Sequence, residues 1–384
     1  MAGFSSEDDR LNKTTVLNQY GNAYFSKITS PVHTAGGWHS TFLMNGSPNI
    51  ATHPGTDLVY QSCWELGDGA GSNVIGIQHS GVVGPTSKKL LTSASGVLTG
   101  AAGAPWTLQL VDLQGYYRLS TTNVTGTGSR TLINTNTFTA SSSSGLLLTY
   151  TNDFTNFTKV RFTTTTTLPT GLSLATDYWL VRVSATTARV ATSLANAISN
   201  TTIAYTDAGS GTHTLTVQNR SSAGVQAMAA VVTAPTGGGP NWSASNYTNQ
   251  SGTSGRSFQA SPTNGAAADA YASRILGSGQ AAGRYGPYLP TQGGDTTVAQ
   301  INSFTWSGGS AYTGSGVIAL CLVKPLGAPI LIPATGGTSN YEFRTSLPST
   351  IEIEDGACLG WLLGGAGATT ANSTLTGHLY YEWG

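Results

Sequence analysis

Apolar residues in this chain come in runs of strand length, and glycine, proline or asparagine closes nearly every one. "LVYQSCW" (Leu58 to Trp64), "WTLQLVDLQGYYRLS" (Trp106 to Ser120), "RTLIN" (Arg130 to Asn134) and "VIALCLV" (Val317 to Val323) set the pattern, with "STFLM" (Ser40 to Met44), "GVQAMAAVVTAP", "SNYTNQSG", "GRSFQAS", "VAQINSFTWSG" and "HLYYEWG" extending it. Short runs rich in β-branched and aromatic residues between turn formers read as strands. "VIALCLV" is apolar on both faces, as in a strand covered on two sides. "IEIEDG" alternates, which predicts Ile351 and Ile353 inward with Glu352 and Glu354 outward. A helix is predicted only near the start. Ser5 or Ser6 offers a hydroxyl cap, Glu7, Asp8 and Asp9 suit the positive dipole end, and residues 6–19 would carry one apolar stripe of Leu11, Val16, Leu17 and Tyr20. The regular helix-strand alternation of a nucleotide-binding α/β fold is missing. The expected class is all-β: a jelly-roll or β-sandwich host domain behind a short N-terminal helix.

Charge is scarce. Asp, Glu, Lys and Arg make up 9% of the 384 residues, against about 25% in an ordinary domain. With 17 bases and 17 acids the formal net charge is zero. Such a chain has no basic footprint for nucleic acid, and near-zero net charge favours association. A hydrophobic share of 39% with 9% aromatics argues against disorder. Cys321 and Cys358 sit inside apolar runs and read as small buried hydrophobes, and with no CxxC spacing a disulfide framework is not expected, which suits synthesis in a reducing cytoplasm. The start "MAGFSSEDDRLN" is acidic and lacks an apolar signal core. No run approaches the ~18 apolar residues of a spanning helix, and the nearest, "GACLGWLLGGAGA", is short and glycine-rich, so no membrane partner is expected.

Residues 136–218 differ from their flanks, which gives three segments: a first half of the host domain over 1–135, an inserted module over 136–218 and a second half over 219–384. The run "TTTTTLPTGLSLATDYWLV" (Thr163 to Val181) looks like low complexity, yet it leads through a Pro169–Gly171 turn into an aromatic strand. Its threonines read as a β-branched lead-in. Tyr178, Leu180 and Val183 would point one way, and Trp179, Val181 and Ser184 the other. Through "LPTGLSLATDYWLV", "ATTARVATSLANA" and "GSGTHTLTV" the segment resembles a small Ig-like β-sandwich module common in phage structural proteins. The flanks resemble a family of tailed-phage virion proteins. The resemblance rests on "MAGFSSEDDRLN", "HTAGGWHSTFLMNGSP", "HSGVVGPTSKKLLTSASG", "LQLVDLQGYYRLST" and "TLIN" before the module. After it, "SNYTNQSGTSGRSFQAS", "YGPYLPTQGGDTTVAQINSFTWS", "VIALCLVKPL" and the final "EDGACLGWLLGGAGATTANSTLTGHLYYEWG" carry it.

The resemblance implies a virion protein on the capsid surface, assembled in the host cytoplasm: a decoration or cement protein that forms a dimer or trimer with itself and docks on the major capsid protein. The module would project outward, toward host surface glycans. The alternative is a tail-associated receptor-binding or fibre protein with a glycan-adhesive module. A tail depolymerase is a third reading, disfavoured by the absence of a β-helix period.

Reactive constellations are weak. His33, His39 and His53 with Asp57 could form a metal or acid/base cluster, but turn and surface histidines beside Gly and Pro explain them as well, and no HExxH-type spacing occurs. Glu65 with Asp68, or Glu352, Glu354 and Asp355, could pose as a glycosidase pair; a solvated strand edge is the simpler reading. "GTGSR" and "GGGP" lack the Lys-Ser/Thr of a phosphate cradle, and no nucleophile elbow appears. No enzyme, cofactor or metal is therefore expected. Trp242, Tyr247, Tyr285, Tyr288 and Tyr312 sit in loop-like contexts, as a sugar platform or as loop anchors and subunit contacts. Candidate interface residues are Phe4, Leu11, Leu17, Tyr20, Trp242, Tyr285 and Tyr288.

Overall fold

The computed structural model describes residues 6–29, 36–47, 56–64, 76–79, 83, 87–101, 105–120, 128–141, 147–233, 241–259, 273–276, 286–307, 316–332, 338–342, 351–365 and 369–384. The chain is all-β with a short N-terminal helix, and every strand-to-strand ladder is antiparallel. The 15-residue strand Trp106–Ser120 is the axle of the host domain. It pairs with Leu359–Gly365, Val317–Pro325, Ile330–Ile332 and Tyr60–Ser62 along its length. Val317–Pro325 also pairs with Gln226–Thr233, so the path through Arg274–Leu276, Trp38–Ser40 and Leu359–Gly365 returns to the axle and closes on itself. Both faces of these strands are covered, which is why "VIALCLV" and "WTLQLVDLQGYY" carry apolar residues without alternation.

A second sheet has the order Thr338–Glu342, Lys89–Ala101, Thr369–Trp383, Tyr20–Thr29, Asn45–Ser47, with Ile351–Ile353 added beside Lys89–Ala101. Its inner face packs Phe25, Leu98, Leu375 and Leu379 against Trp106, Leu108 and Trp361 of the first sheet, in the manner of a β-sandwich. Gly377 lies opposite Phe25 and Gly96 on the two flanking strands of this sheet. A Cβ there would overlap the Ser95 carbonyl oxygen and sit 2.7 Å from the Phe25 ring. A third sheet, of Arg256–Ser257, Asn241–Asn249, Val298–Ser307 and Gly128–Thr131, covers the far side.

Between Thr135 and Gln218 six strands pair only with one another. The compact β unit joins at both edges, so it is a closed barrel in place of two separate sheets. Here alternation is clean: His213–Gln218 buries every second residue, and Phe138, Phe162, Tyr178, Leu180 and Leu215 fill the interior. Thr163 and Thr164 end the Lys159–Thr164 strand, and Thr165 and Thr167 continue it through backbone bonds to Thr212 and Ser210. The threonines thus close the preceding strand; the lead-in to Tyr178–Ser184 is the turn itself. Gly171 holds φ +98°, and Leu172 N–H donates to the Pro169 carbonyl at 3.1 Å. Tyr178 and Leu180 point inward and Trp179 and Val181 outward, while a bulge at Arg182 to Ser184 leaves Val183 exposed.

Other expectations shift in detail. The strand sought in "STFLM" is Trp38–Ser40, and Thr41–Leu43 turns into a single 3-10 turn. Ile351 and Ile353 are buried and Glu352 is exposed, but Glu354 turns inward to bind Ser221 and Lys324. Tyr247 is fully buried, its hydroxyl on Asp295, so it is no surface platform. Cys63, Cys321 and Cys358 are free and buried. Among the described residues, no helix is long and apolar enough to cross a membrane.

Candidate docking surface

The helix begins as its sequence dictates: Ser6 Oγ accepts from Asp9 N–H at 3.0 Å, with three acids in the first turn. It runs over Glu7–Leu11 and loosens into a π-turn over Asn12–Val16. The side turned to the protein is polar. Arg10 and Thr14 are buried, Arg10 holds Glu7 and Glu382, and the Thr14 hydroxyl donates to the Arg10 carbonyl at 2.9 Å. Hydrogen bonds donated to the Glu7 and Glu382 carboxylates hold the Arg10 guanidinium well above its ordinary range. The apolar residues face outward: Leu11 is 44% exposed, Val16 67% and Leu17 56%. A helix on a globular surface normally does the reverse.

The chain then turns at Asn18, with φ +54°, and enters the strand Tyr20–Thr29. Ala23, Phe25 and Lys27 point into the core, which leaves Tyr20 and Tyr24 on the outer face at 60% and 53% exposure. Tyr24 lies opposite His378, and Asn22 opposite Tyr380. The Tyr24 and His378 rings are 5.2 Å apart, and those of His378 and Tyr380 are stacked at 5.9 Å. His378 Nδ1–H donates to Asn22 Oδ1 at 2.7 Å, which fixes the imidazole between two phenols. Outside this strip, the large apolar side chains left exposed among the described residues are Leu174, Val183, Ile198 and Leu331.

No family model, curated protein or solved structure matches this chain. The candidate surface therefore stands on its own geometry.

Of the interface candidates, Leu11, Leu17 and Tyr20 are exposed, and the Arg10 bond to Glu382, which lies opposite Tyr20, sets the helix beside the strand. Tyr288 is half-buried and packs against the core cluster of Val111, Tyr116 and Met228. Trp242 belongs to the strand Asn241–Asn249. Phe4, Tyr285, Tyr312, His33, His53, Glu65 and Asp68 lie outside the described residues. Tyr24 and Tyr380 escaped sequence reasoning. Their signal was the alternation Tyr20, Asn22, Tyr24 against Ala23, Phe25, Lys27, obscured by the lysine on the inward face. Of the other candidates, His39 is buried on its strand and Asp57 pairs with Arg118, and among the described residues there is no group of three His, Cys, Asp or Glu that could hold a metal ion.

Buried polar groups instead bind the host together. Asp112 accepts from Arg220, from Cys358 N–H at 2.8 Å and from Gln114 Nε2 at 2.6 Å. Burial pushes the Asp112 carboxyl up, and Arg220 pulls it back.

Proposed function

We propose that this protein is a structural component of a tailed-phage virion, a capsid decoration protein that acts by docking and carries out no reaction. The outward-facing strip from Leu11 to Tyr24, with Tyr380, supports this reading above all other features. Tyrosine is among the residues that dominate interface energetics. The one charged side chain within the strip, Lys13, is already paired with Asp9 at 3.3 Å, so we assign the strip to the contact between copies, an isologous pairing of like surfaces. The assembled copies then sit on the major capsid protein, on the capsid surface. A ligand that binds only the assembled shell stabilises it by mass action, about 2.7 kcal/mol at a hundred times its Kd.

The test is reconstitution. Purified protein should co-sediment with phage heads that lack it, at a copy number set by the capsid lattice, and cryo-electron microscopy should place the N-terminal helix at a contact between copies. Protein that ignores heads and stays monomeric at high concentration would refute the proposal. The second reading, a tail-associated receptor-binding protein, draws support from the separately closed barrel, and occupancy confined to the tail would favour it.

A further inference from the structure

Two of the three buried cysteines meet along the axle strand Trp106–Ser120. One side of this strand carries Tyr60–Ser62 and Leu359–Gly365 end to end, and Val317–Pro325 covers the other side. Cys63 follows the last residue of Tyr60–Ser62, and its N–H donates to the Gln114 carbonyl at 3.2 Å. Cys358 precedes the first residue of Leu359–Gly365, and its carbonyl accepts from Leu113 N–H at 2.9 Å. In a regular strand, neighbouring residues turn their backbone groups to opposite sides. Here the pairing with Val317–Pro325 skips from Leu113 to Gly115, so Gln114 is the extra residue of a bulge. Leu113 and Gln114 therefore face the same side, and the two cysteines are anchored one residue step apart, about 3.3 Å along the axle.

Their side chains fall on one face. Both are fully buried in the cluster that holds Val111, Leu113 and Tyr116, and the two thiols are hydrogen-bonded to each other. Arg220 holds the Cys63 carbonyl, and Asp112 holds Cys358 N–H at 2.8 Å. The third thiol, Cys321, sits across the axle opposite Tyr116 and donates to the Ala319 carbonyl at 3.8 Å. A thiol is a weak donor and a weak acceptor. The contact between Cys63 and Cys358 adds little to the fold as it stands, and its consequence is proximity.

We propose that Cys63 and Cys358 form a latent disulfide, closed by a peroxide and reopened by thiols, that staples the end of Tyr60–Ser62 to the start of Leu359–Gly365. One thiolate attacks a peroxide oxygen, the O–O bond breaks and hydroxide leaves, giving a sulfenic acid. The second sulfur attacks the sulfenic sulfur, the S–O bond breaks and water leaves. Two thiols and one hydrogen peroxide give one disulfide and two waters. Burial pushes the Cys358 thiol well above its ordinary range, and a buried thiol is inert while the fold is closed. The reaction therefore waits for local opening, and Tyr60–Ser62, three residues long, is the element that opens. The staple closes a loop through most of the chain, where loop-closure stabilisation is largest. It uses none of the residues of the docking strip.

The test uses the reduced full chain, freed of reductant and treated with hydrogen peroxide in native buffer. Thiols are counted by iodoacetamide alkylation after denaturation, and the bond is located by peptide mass mapping. Three alkylated cysteines before treatment should become one, with Cys63 joined to Cys358 of the same chain. The thermal midpoint should rise by about 5 °C and return with dithiothreitol. Sub-denaturing urea should speed closure, because opening limits it. Cys63→Ala and Cys358→Ala should each abolish the rise, and Cys321→Ala should keep it. The map on the unaltered chain stands even where a variant fails to fold. The proposal is overturned if three thiols persist, if the bond uses Cys321 or joins two chains, or if Cys63 and Cys358 are oxidised singly. Tyr20→Ser, Tyr24→Ser and Tyr380→Ser together should leave closure unchanged, so failure here and failure of the docking proposal are separable.

Discussion

Arg10 in the first helix and Glu382 in the last strand, 372 residues apart, form a buried ion pair with Nη1 2.9 Å from Oε2. This pair decides which side of the helix faces the protein. It draws the polar side inward and leaves Leu11, Val16 and Leu17 in solvent.

Removal of one partner strands the other charge. Arg10→Ala should destabilise the fold by about 3–5 kcal/mol in urea denaturation, and Arg10→Met with Glu382→Leu should recover much of that loss. If the single variant is neutral, the pair does not orient the helix.

The strip can be altered without loss of fold. Tyr20→Ser, Tyr24→Ser and Tyr380→Ser should each change stability by no more than ~0.5 kcal/mol, while sedimentation of the triple variant should shift from oligomer to monomer. An unchanged oligomer would place the contact between copies elsewhere.

Acid should loosen the second sheet through His79. Its Nδ1 accepts from Lys89 Nζ at 2.8 Å and its Nε2–H donates to the Ala357 carbonyl at 2.8 Å, so the buried ring is neutral. Burial, and then the Lys89 charge, push its pKa from 6.5 down to about 3. The folded pKa is the lower one. The stabilising contribution is therefore complete above pH 6.5 and falls away as the unfolded chain takes up its proton, down to about pH 3. At ~1.4 kcal/mol per unit the loss amounts to a few kcal/mol. His79→Gln should flatten the slope of stability against pH across that window.

Gly377→Ala should destabilise by more than ~2 kcal/mol, because the added methyl meets backbone at Ser95 and cannot be accommodated by a side-chain rotation. Thermal unfolding of the variant checks this.

Sequence reading reached some parts of this molecule and not others, for identifiable reasons. Trp106 to Ser120 was legible as a strand because burial on both faces leaves an unbroken apolar run. Tyr20 to Thr29 was not, because its inward set includes Lys27, whose ammonium is buried and whose pKa desolvation lowers to about 8. The apolar stripe of the helix was legible, but its outward orientation was not, since that depends on a carboxylate at the opposite end of the chain. The joint between barrel and host was invisible for the same reason. Trp64, Trp179, Arg220 and Glu354 come from four segments, and only the closed barrel brings them to one joint.

Thr135 and Thr216 stand opposite each other in the barrel's own ladder, so the unit enters and leaves through neighbouring positions. To the host the whole barrel is one short chord. A socket of that kind accepts any cargo whose ends meet, and its tenant can be exchanged while the surrounding frame stays constant.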